Sequence, residues 1–269
     1  MNNSDYQDMP AISSHWLIEM LRSPAACWRK YLDPHRPAEE PTDAMRLGTL
    51  VHCLALKPEQ FAQTFIVADY ERRSIDGKAR YAQLSETGLI PIKRAELDQA
   101  LAIVDALHAK PAVRKLLQRS KKERTVIQPR PRGLLPLKAR LDLHYEAKRQ
   151  IVELKTTWNL DAAQVAMEHY RYSLSAAFYR ELVRGRGVVF VFVQTRLPHE
   201  VAVIPMERQQ LQAGREQWQT ALARFDECWL ANDWPEAEPA APDDDPLMVP
   251  FGPVPTPRRF EIPVGELAL

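Results

Sequence analysis

This chain is poor in cysteine, in net charge and in long apolar runs, and each lack closes off a class of function. Its three cysteines, Cys27, Cys53 and Cys228, are far apart and odd in number. They have neither zinc-finger spacing nor the density of a disulfide scaffold, so a reducing cytoplasm is the expected setting. The formal net charge is only +1 in 269 residues. That excludes a protein that coats nucleic acid by bulk charge, but not one that confines positive charge to a groove. No apolar stretch approaches the ~20 residues needed to span a bilayer, so no membrane partner is expected. The opening MNNSDYQDMP is polar and acidic, unlike a signal or transit peptide. No internal repeat is present.

What remains is an ordinary globular composition, 45% hydrophobic and 26% charged, long enough for one large domain. Periodicity predicts short helices over 13–22 and 25–31, the first capped by Ser13 or Ser14. A linker over 34–41 precedes a strong helix over 42–56, stopped by Lys57-Pro58. A strand over 61–68 leads into a polar, basic, poorly periodic stretch, 69–88, with Asp76-Gly77 as a turn; this reads as a mobile loop or flap. Helices follow over 92–107 and 112–118. The pattern then changes to strands over 123–128, 134–144 and 150–156, helices over 161–170 and 173–183, strands over 187–194 and 200–205, and a long helix over 207–232. The proline-rich remainder, with Asp243-Asp-Asp245, is expected to lie extended. The order predicts an α/β (α+β) fold, a mixed central sheet flanked by helices, with a helical N-terminal half.

The chemistry concentrates in Lys138-Ala-Arg-Leu-Asp142 and Ile151-Val-Glu153-Leu-Lys155-Thr-Thr. Side chains alternate along a strand, so Glu153 and Lys155 share a face. A two-residue turn at Ala147-Lys148 sets Asp142 opposite Glu153, with cross-strand Cβ atoms about 5 Å apart. Two carboxylates so placed can share one divalent ion, and magnesium takes one or two carboxylates plus water and substrate phosphate. Lys155 can hold or polarise a water or meet phosphate charge, which together suit phosphodiester hydrolysis. Amphipathic strands also carry such residues merely to stay wet. The apolar neighbours Leu141, Leu143, Ile151, Val152 and Leu154 argue for burial, and buried acids need a partner.

Upstream, Gly48 and His52 are four apart on one helix and share a face. His52 is either a core histidine bonded to backbone or a metal ligand. Gly48 costs a helix up to about 1 kcal/mol and is tolerated where another backbone or a ligand comes close. A helix approaching the sheet at Gly48 would bring His52 to the acidic pair. Basic residues cluster at Arg72, Arg73, Lys78 and Arg80, at Lys121, Lys122 and Arg124, and at Arg130, Arg132, Lys138 and Arg140. Each cluster is a solvated surface or part of a nucleic-acid groove; Arg72, Arg73, Lys78 and Arg140 are the candidates for DNA contact.

Gly48-x-x-x-His52, Asp142, Glu153-x-Lys155 and Ala176-Ala-Phe-Tyr179, in that order, resemble the PD-(D/E)XK nuclease superfamily. Ser23-Pro-Ala, Tyr31-Leu-Asp-Pro, Glu39-Glu-Pro-Thr and Leu154-Lys-Thr-Thr resemble the RecE (exodeoxyribonuclease VIII) C-terminal nuclease and its phage-type relatives, over about 13–234. Two positions depart from the pattern: Leu141 stands where the family usually has proline, and Ser175 where it often has glutamine four residues before the helix tyrosine. The resemblance implies a restriction-endonuclease-like core and a single nuclease domain over 1–234. Within it, a helical part covers about 12–118 and a catalytic sheet core about 121–232, with 235–269 as a tail. It implies that His52, Asp142, Glu153 and the Leu154 carbonyl bind Mg²⁺, with Mn²⁺ able to substitute. Lys155 would position or activate water, Tyr179 support the site or contact the scissile region, and Thr156 contact phosphate. Double-stranded DNA ends as substrate, 5′→3′ digestion leaving 3′ single strands for recombination, a ring-shaped homo-oligomer and a single-strand annealing partner are further implications. An iron–sulfur relative would need four cysteines and is set aside. A restriction-type PD-(D/E)XK endonuclease, or a DNA-binding or assembly protein impaired in catalysis, are the competing readings.

Overall fold

An apolar strand such as Gly187–Gln194 needs cover on both faces, and the fold supplies it. The computed structural model describes residues 3–37, 41–68 and 74–236. In chain order these form α1 (Asn3–Asp8), α2 (Ser14–Arg22), α3 (Pro24–Cys27, continued by a π turn over Trp28–Leu32), α4 (Asp43–Leu56), α5 (Phe61–Thr64) and β1 (Phe65–Val67). Next come α6 (Ile75–Ser85), β2 (Ile90–Ile92), α7 (Arg94–Ala109), α8 (Pro111–Arg119), β3 (Lys121–Gln128), β4 (Leu137–Tyr145) and β5 (Gln150–Thr157). The last are α9 (Ala163–His169), α10 (Tyr172–Leu182), β6 (Gly187–Gln194), β7 (Val201–Pro205) and α11 (Arg208–Ala231).

One five-stranded sheet, ordered β3-β4-β5-β6-β7, forms the centre, and β1 pairs with β2 in a separate two-stranded ribbon. Only β5 and β6 run parallel in the large sheet; its other pairs are antiparallel. Apolar residues alternate along β5 and β6, and each set feeds its own core. Ile151, Val188, Phe190 and Phe192 pack with α2, α10 and α11 through Leu17, Phe178 and Phe225. Val152, Leu154, Val189 and Val191 pack with α4, α7 and α8 through Leu50, Ile103 and Leu116. The expected mixed sheet between helices is therefore the observed α/β architecture.

Several local expectations are corrected. Within 69–88 no loop spans the described part: α6 occupies most of it, capped where the Ser74 side chain accepts from Gly77 N–H. The strand expected over 61–68 shortens to three residues after a helical turn, and β2, unforeseen, precedes α7. The turn between β4 and β5 is longer than two residues: a 3₁₀ turn covers Glu146–Lys148, and Arg149 takes a left-handed φ of 52°. Its centre is unchanged, so the register still aligns Leu143 with Val152. Ser13 makes no side-chain cap on α2. The tail expected from 235 lies almost wholly outside the described residues, as do Arg72 and Arg73.

One glycine is dictated by packing. A Cβ on Gly214 of α11 would lie 2.0 Å from the Ser173 carbonyl oxygen at the start of α10, so the two helices cross with no room for a side chain.

Candidate active site

The site is built at a fault in the sheet. β3 and β4 pair on both sides of the Glu123–Asp142 rung but not at it, and Glu123 adopts φ 47° there. Left-handed φ is uncommon outside glycine and clusters at functional sites. The faces switch at this rung: Leu137, Ala139 and Leu141 join the core with α10, whereas Leu143 and Tyr145 join the core with α4. β4 also stays paired to β5 only from Leu143 to Tyr145 and then parts from it.

Parting leaves backbone groups of β5 unpaired, and side chains take them up. The Asp142 Oδ2 accepts from Leu154 N–H at 2.8 Å. His52 Nε2 lies 2.9 Å from the Leu154 carbonyl, and its Nδ1 lies 3.5 Å from Asp142 Oδ1. His52 reaches this place because α4 crosses β5 closely: a Cβ on Gly48 would stand 3.3 Å from Thr156 Oγ1. Thus Gly48 marks a close approach and His52 faces Asp142.

On the other face of β5, Lys155 Nζ donates to Glu153 Oε2 at 3.2 Å. Glu153 is 4% exposed, and its second oxygen, Oε1, is buried with no hydrogen-bond partner among the described residues. Tyr179 of α10 is buried beside them, and the Ser14 hydroxyl donates to its Oη at 3.1 Å.

The charges are tightly coupled. Burial and the neighbouring charge of Asp142 lift the Glu153 carboxyl to about 7, against the opposing pull of Lys155. Burial would raise Asp142 too, but His52 and Lys155 and the Leu154 N–H hold it below the usual carboxylate range. Burial pulls His52 down, yet the Asp142 carboxylate outweighs it and the imidazole is raised. Burial likewise opposes charge on Lys155, but Glu153 and Asp142 overcome it and push the ammonium further up.

A buried carboxylate oxygen without a partner, a second carboxylate and a carbonyl released from the ladder form a hard, oxygen-rich donor set that fits a divalent cation. Among the described residues no three His, Cys, Asp or Glu side chains are arranged to hold a metal as they stand. Two carboxylates with a backbone oxygen suffice for magnesium, which keeps water and substrate oxygens in its other positions.

The sequence of this chain matches the family described as PDDEXK-like domain of unknown function (DUF3799) over residues 13–240. The chain belongs to this family. No curated protein matches it. Among solved structures, this chain is similar to a protein of Eubacterium rectale named "Putative exonuclease", at 14% identity and TM-score 0.63 over 88% of this chain and 89% of that one. That likeness shows a shared fold. A phage-related exonuclease from Haemophilus somnus matches at 14% identity and TM-score 0.38, covering 83% and 96% of the two chains. An alkaline exonuclease from Laribacter hongkongensis matches at 16% identity and TM-score 0.34, covering 65% and 96%. Those two scores carry no structural argument.

The structure thus brings His52, Asp142, Glu153, Leu154, Lys155 and Tyr179 of this PDDEXK-like chain together, with Thr156 under α4. Lys78 is exposed on α6. Arg140 is engaged within the protein: its guanidinium lies 4.5 Å from the Tyr6 ring centroid, its Nε donates to Thr125 Oγ1, and its side chain is only 11% exposed. Arg130 pairs with Asp226, and Lys121 and Arg124 pair with Glu146.

Three residues near the site, Tyr6, His15 and Tyr172, carry no signal in the sequence, and a fourth, Lys138, reads there only as part of a basic cluster. Tyr6 abuts β4, where its hydroxyl is bonded by the Arg140 backbone N–H; burial above all, with the Glu153 charge, lifts it to about 12 against the pull of Arg140. Lys138, 2% exposed, donates to the carbonyls of Tyr6, Gln7 and Met9 at 2.7, 3.1 and 2.9 Å and so ties the end of α1 to β4. His15, exposed yet closely surrounded, is pulled to about 4 by that crowding and by the charges of Lys155 and Lys30. Tyr172 lays its ring 5.6 Å from Lys155 Nζ. No local pattern marks the Tyr6 and Lys138 contacts, which join positions more than a hundred residues apart; Ser14 and His15 were visible only as a helix start.

Proposed function

We propose that this chain is a divalent-metal-dependent deoxyribonuclease that degrades linear double-stranded DNA from its ends, 5′→3′, leaving 3′ single strands for recombination. Magnesium is the proposed cofactor, with manganese as a substitute. The observation that supports this most is the buried, unpartnered Glu153 Oε1 beside Asp142, with Lys155 on the same face of β5. Asp142, Glu153, the Leu154 carbonyl and His52 would hold the metal, whose charge would stabilise the phosphate and lower the pKa of attacking water. Asp142 keeps its charge because His52 and Lys155 face it. Glu153 must lose its proton to ligate, which its raised pKa places near neutrality.

Lys155 is the residue whose role the electrostatics narrow most. An ammonium held charged by two carboxylates does not take a proton from water. It can donate hydrogen bonds to an attacking water or to a phosphate oxygen and so fix the line of attack. Tyr179, fixed by Ser14, would brace the wall of the site, and Thr156 and Lys78 would meet phosphate. The exonuclease designation of the Eubacterium rectale protein is consistent with cutting from ends. We extend the proposal to a homo-oligomeric ring working with a single-strand annealing protein, to be checked by mass in solution and co-purification.

The test is a linear duplex labelled separately at each 5′ and 3′ end, incubated with and without Mg²⁺, beside a closed circular duplex. The proposal expects metal-dependent release of the 5′ label and an intact circle. A cut circle would replace it with the endonuclease reading. Binding without any cleavage would favour an impaired DNA-binding protein, a reading that Ser175 in place of the family glutamine supports.

A further inference from the structure

The carboxylates lie deep: Asp142 is 9% and Glu153 4% exposed. A scissile phosphate reaches such a place more readily on a strand drawn out of its duplex, and a strand so drawn loses the stacking of its bases. The chain carries exposed aromatic rings on the segments that adjoin the elements of the site. Trp158 follows β5 directly, three residues beyond Lys155, or about 10 Å of extended chain. It is 70% exposed, and the Arg196 guanidinium lies 5.5 Å from its ring centroid. Arg196 is held there because β6 runs parallel to β5 and Thr195 N–H bonds the Thr157 carbonyl at 2.8 Å. With the arginine in place the ring remains open to a planar group.

A second aromatic pair starts at the site itself. Tyr172, whose ring faces Lys155, is anchored on Phe190 with centroids 5.2 Å apart. Tyr170 stacks on Tyr172 at 5.7 Å and is 56% exposed. Single exposed apolar residues need no explanation. Here two exposed rings adjoin the elements that carry the catalytic lysine, each ordered by a second ring or a cation. Aromatic faces backed by cationic side chains are the chemistry that takes unpaired nucleobases, without preference for sequence.

We propose that Trp158 with Arg196, and Tyr170 stacked on Tyr172, form a platform on which unpaired bases of the strand being cut are stacked beside the active site. The proposal rests on the nuclease reading and adds a site for single-stranded DNA next to the carboxylates. Its test is equilibrium binding of a labelled twelve-residue oligothymidylate and of an abasic strand of equal length, in EDTA, with the full chain. Loss of one base–aromatic stack weakens binding by about 5- to 150-fold. Trp158→Ala should lose affinity in that range for the oligothymidylate and be unchanged on the abasic strand, while Trp158→Phe retains most of it. Trp158 is at the surface, so the variant should unfold at the wild-type temperature.

Equal loss on both strands would overturn the platform and make Trp158 part of a backbone contact. No loss on either would overturn it too and leave the rings to a protein partner, whose interfaces favour the same residues. Wild-type digestion of linear duplex with Mg²⁺ is run in parallel. If the wild type cuts and Trp158→Ala binds normally, only the platform fails. If the wild type does not cut, the nuclease reading fails by itself.

Discussion

Glu153 is the group whose behaviour is most unlike that of an ordinary surface carboxyl, and a single substitution reads it. Burial and Asp142 lift it from 4.5 to about 7 in the folded protein. A carboxyl whose folded pKa exceeds its unfolded one keeps its proton longer in the native state. Between pH 4.5 and about 7 the unfolded chain has released that proton and the folded chain has not, so stability falls as pH rises through this window and stays low above it. The full cost is about 3 kcal/mol at pH 8, from 1.36 kcal/mol per pH unit across the window. Glu153→Gln keeps the shape and removes the titration. It also removes the ion pair with Lys155, but the ammonium is charged throughout, so that loss shifts the curve without changing its slope.

Urea unfolding in EDTA at pH 4.5, 6 and 8 therefore has a definite expectation. The stability difference, variant minus wild type, should grow by about 3 kcal/mol from pH 4.5 to 8 and level off above about 7.5. Added Mg²⁺ or Mn²⁺ should stabilise the wild type at pH 8, far less at pH 5, and the variant at neither, because only ionised Glu153 ligates. Parallel curves for the two proteins would refute the reasoning: Glu153 would then be charged in the native state at pH 5, and its unpartnered oxygen would be open to water rather than kept for a cation.

Other outcomes follow from the same geometry. Lys155→Ala should slow cleavage by about 10²–10³-fold while leaving metal binding in place, as measured by single-turnover digestion beside metal titration. His52→Ala should weaken metal binding on the order of 10-fold. Because Asp142 raises the His52 pKa, part of the wild-type rise in metal affinity with pH should vanish in that variant, as read by calorimetry at pH 6 and 8. Gly214→Ala should destabilise the fold by at least about 1–3 kcal/mol despite alanine's better helix propensity, because the new Cβ meets a carbonyl oxygen; thermal unfolding would show it. Lys138→Met should cost about 3 kcal/mol and loosen α1, detected as faster amide exchange over residues 5–12.

Much of the site was legible because it depends on local rules. Strand alternation set Glu153 and Lys155 on one face, and a loop centred on 147–148 fixed the β4–β5 register whatever its exact turn type. The four-residue spacing of Gly48 and His52 carried the helix–sheet approach that Thr156 now shows. What could not be read depends on breaks in those rules or on distant contacts. A period of two assumes an unbroken strand, so the face switch at Glu123–Asp142 was invisible. α6 has a weak apolar face, so its composition reads as a loop despite its Ser74 cap. Lys138 and Arg140 looked like a basic cluster, yet one is buried under α1 and the other packs on Tyr6, because a cation's partners among backbone carbonyls leave no trace in composition.

The fault in the sheet and the candidate chemistry have one cause. A regular β4–β5 ladder would occupy the N–H and C=O of Leu154 with strand partners. The carbonyl would then be unavailable to a cation, and Asp142 would have no donor in β5. By parting after Leu143–Val152, the strands free both groups: Asp142 takes the N–H and His52 meets the carbonyl. The opening is closed from the other side by the N-terminal segment, where Ile12 accepts from Lys138 N–H and donates to the Pro136 carbonyl, and Tyr6 takes the Arg140 N–H. Residues 6–12 therefore do for this part of β4 what β5 would have done. The Lys138 anchor fixes the end of α1 on β4, so the N-terminal segment is among the parts that let β4 leave β5 without losing its own backbone partners.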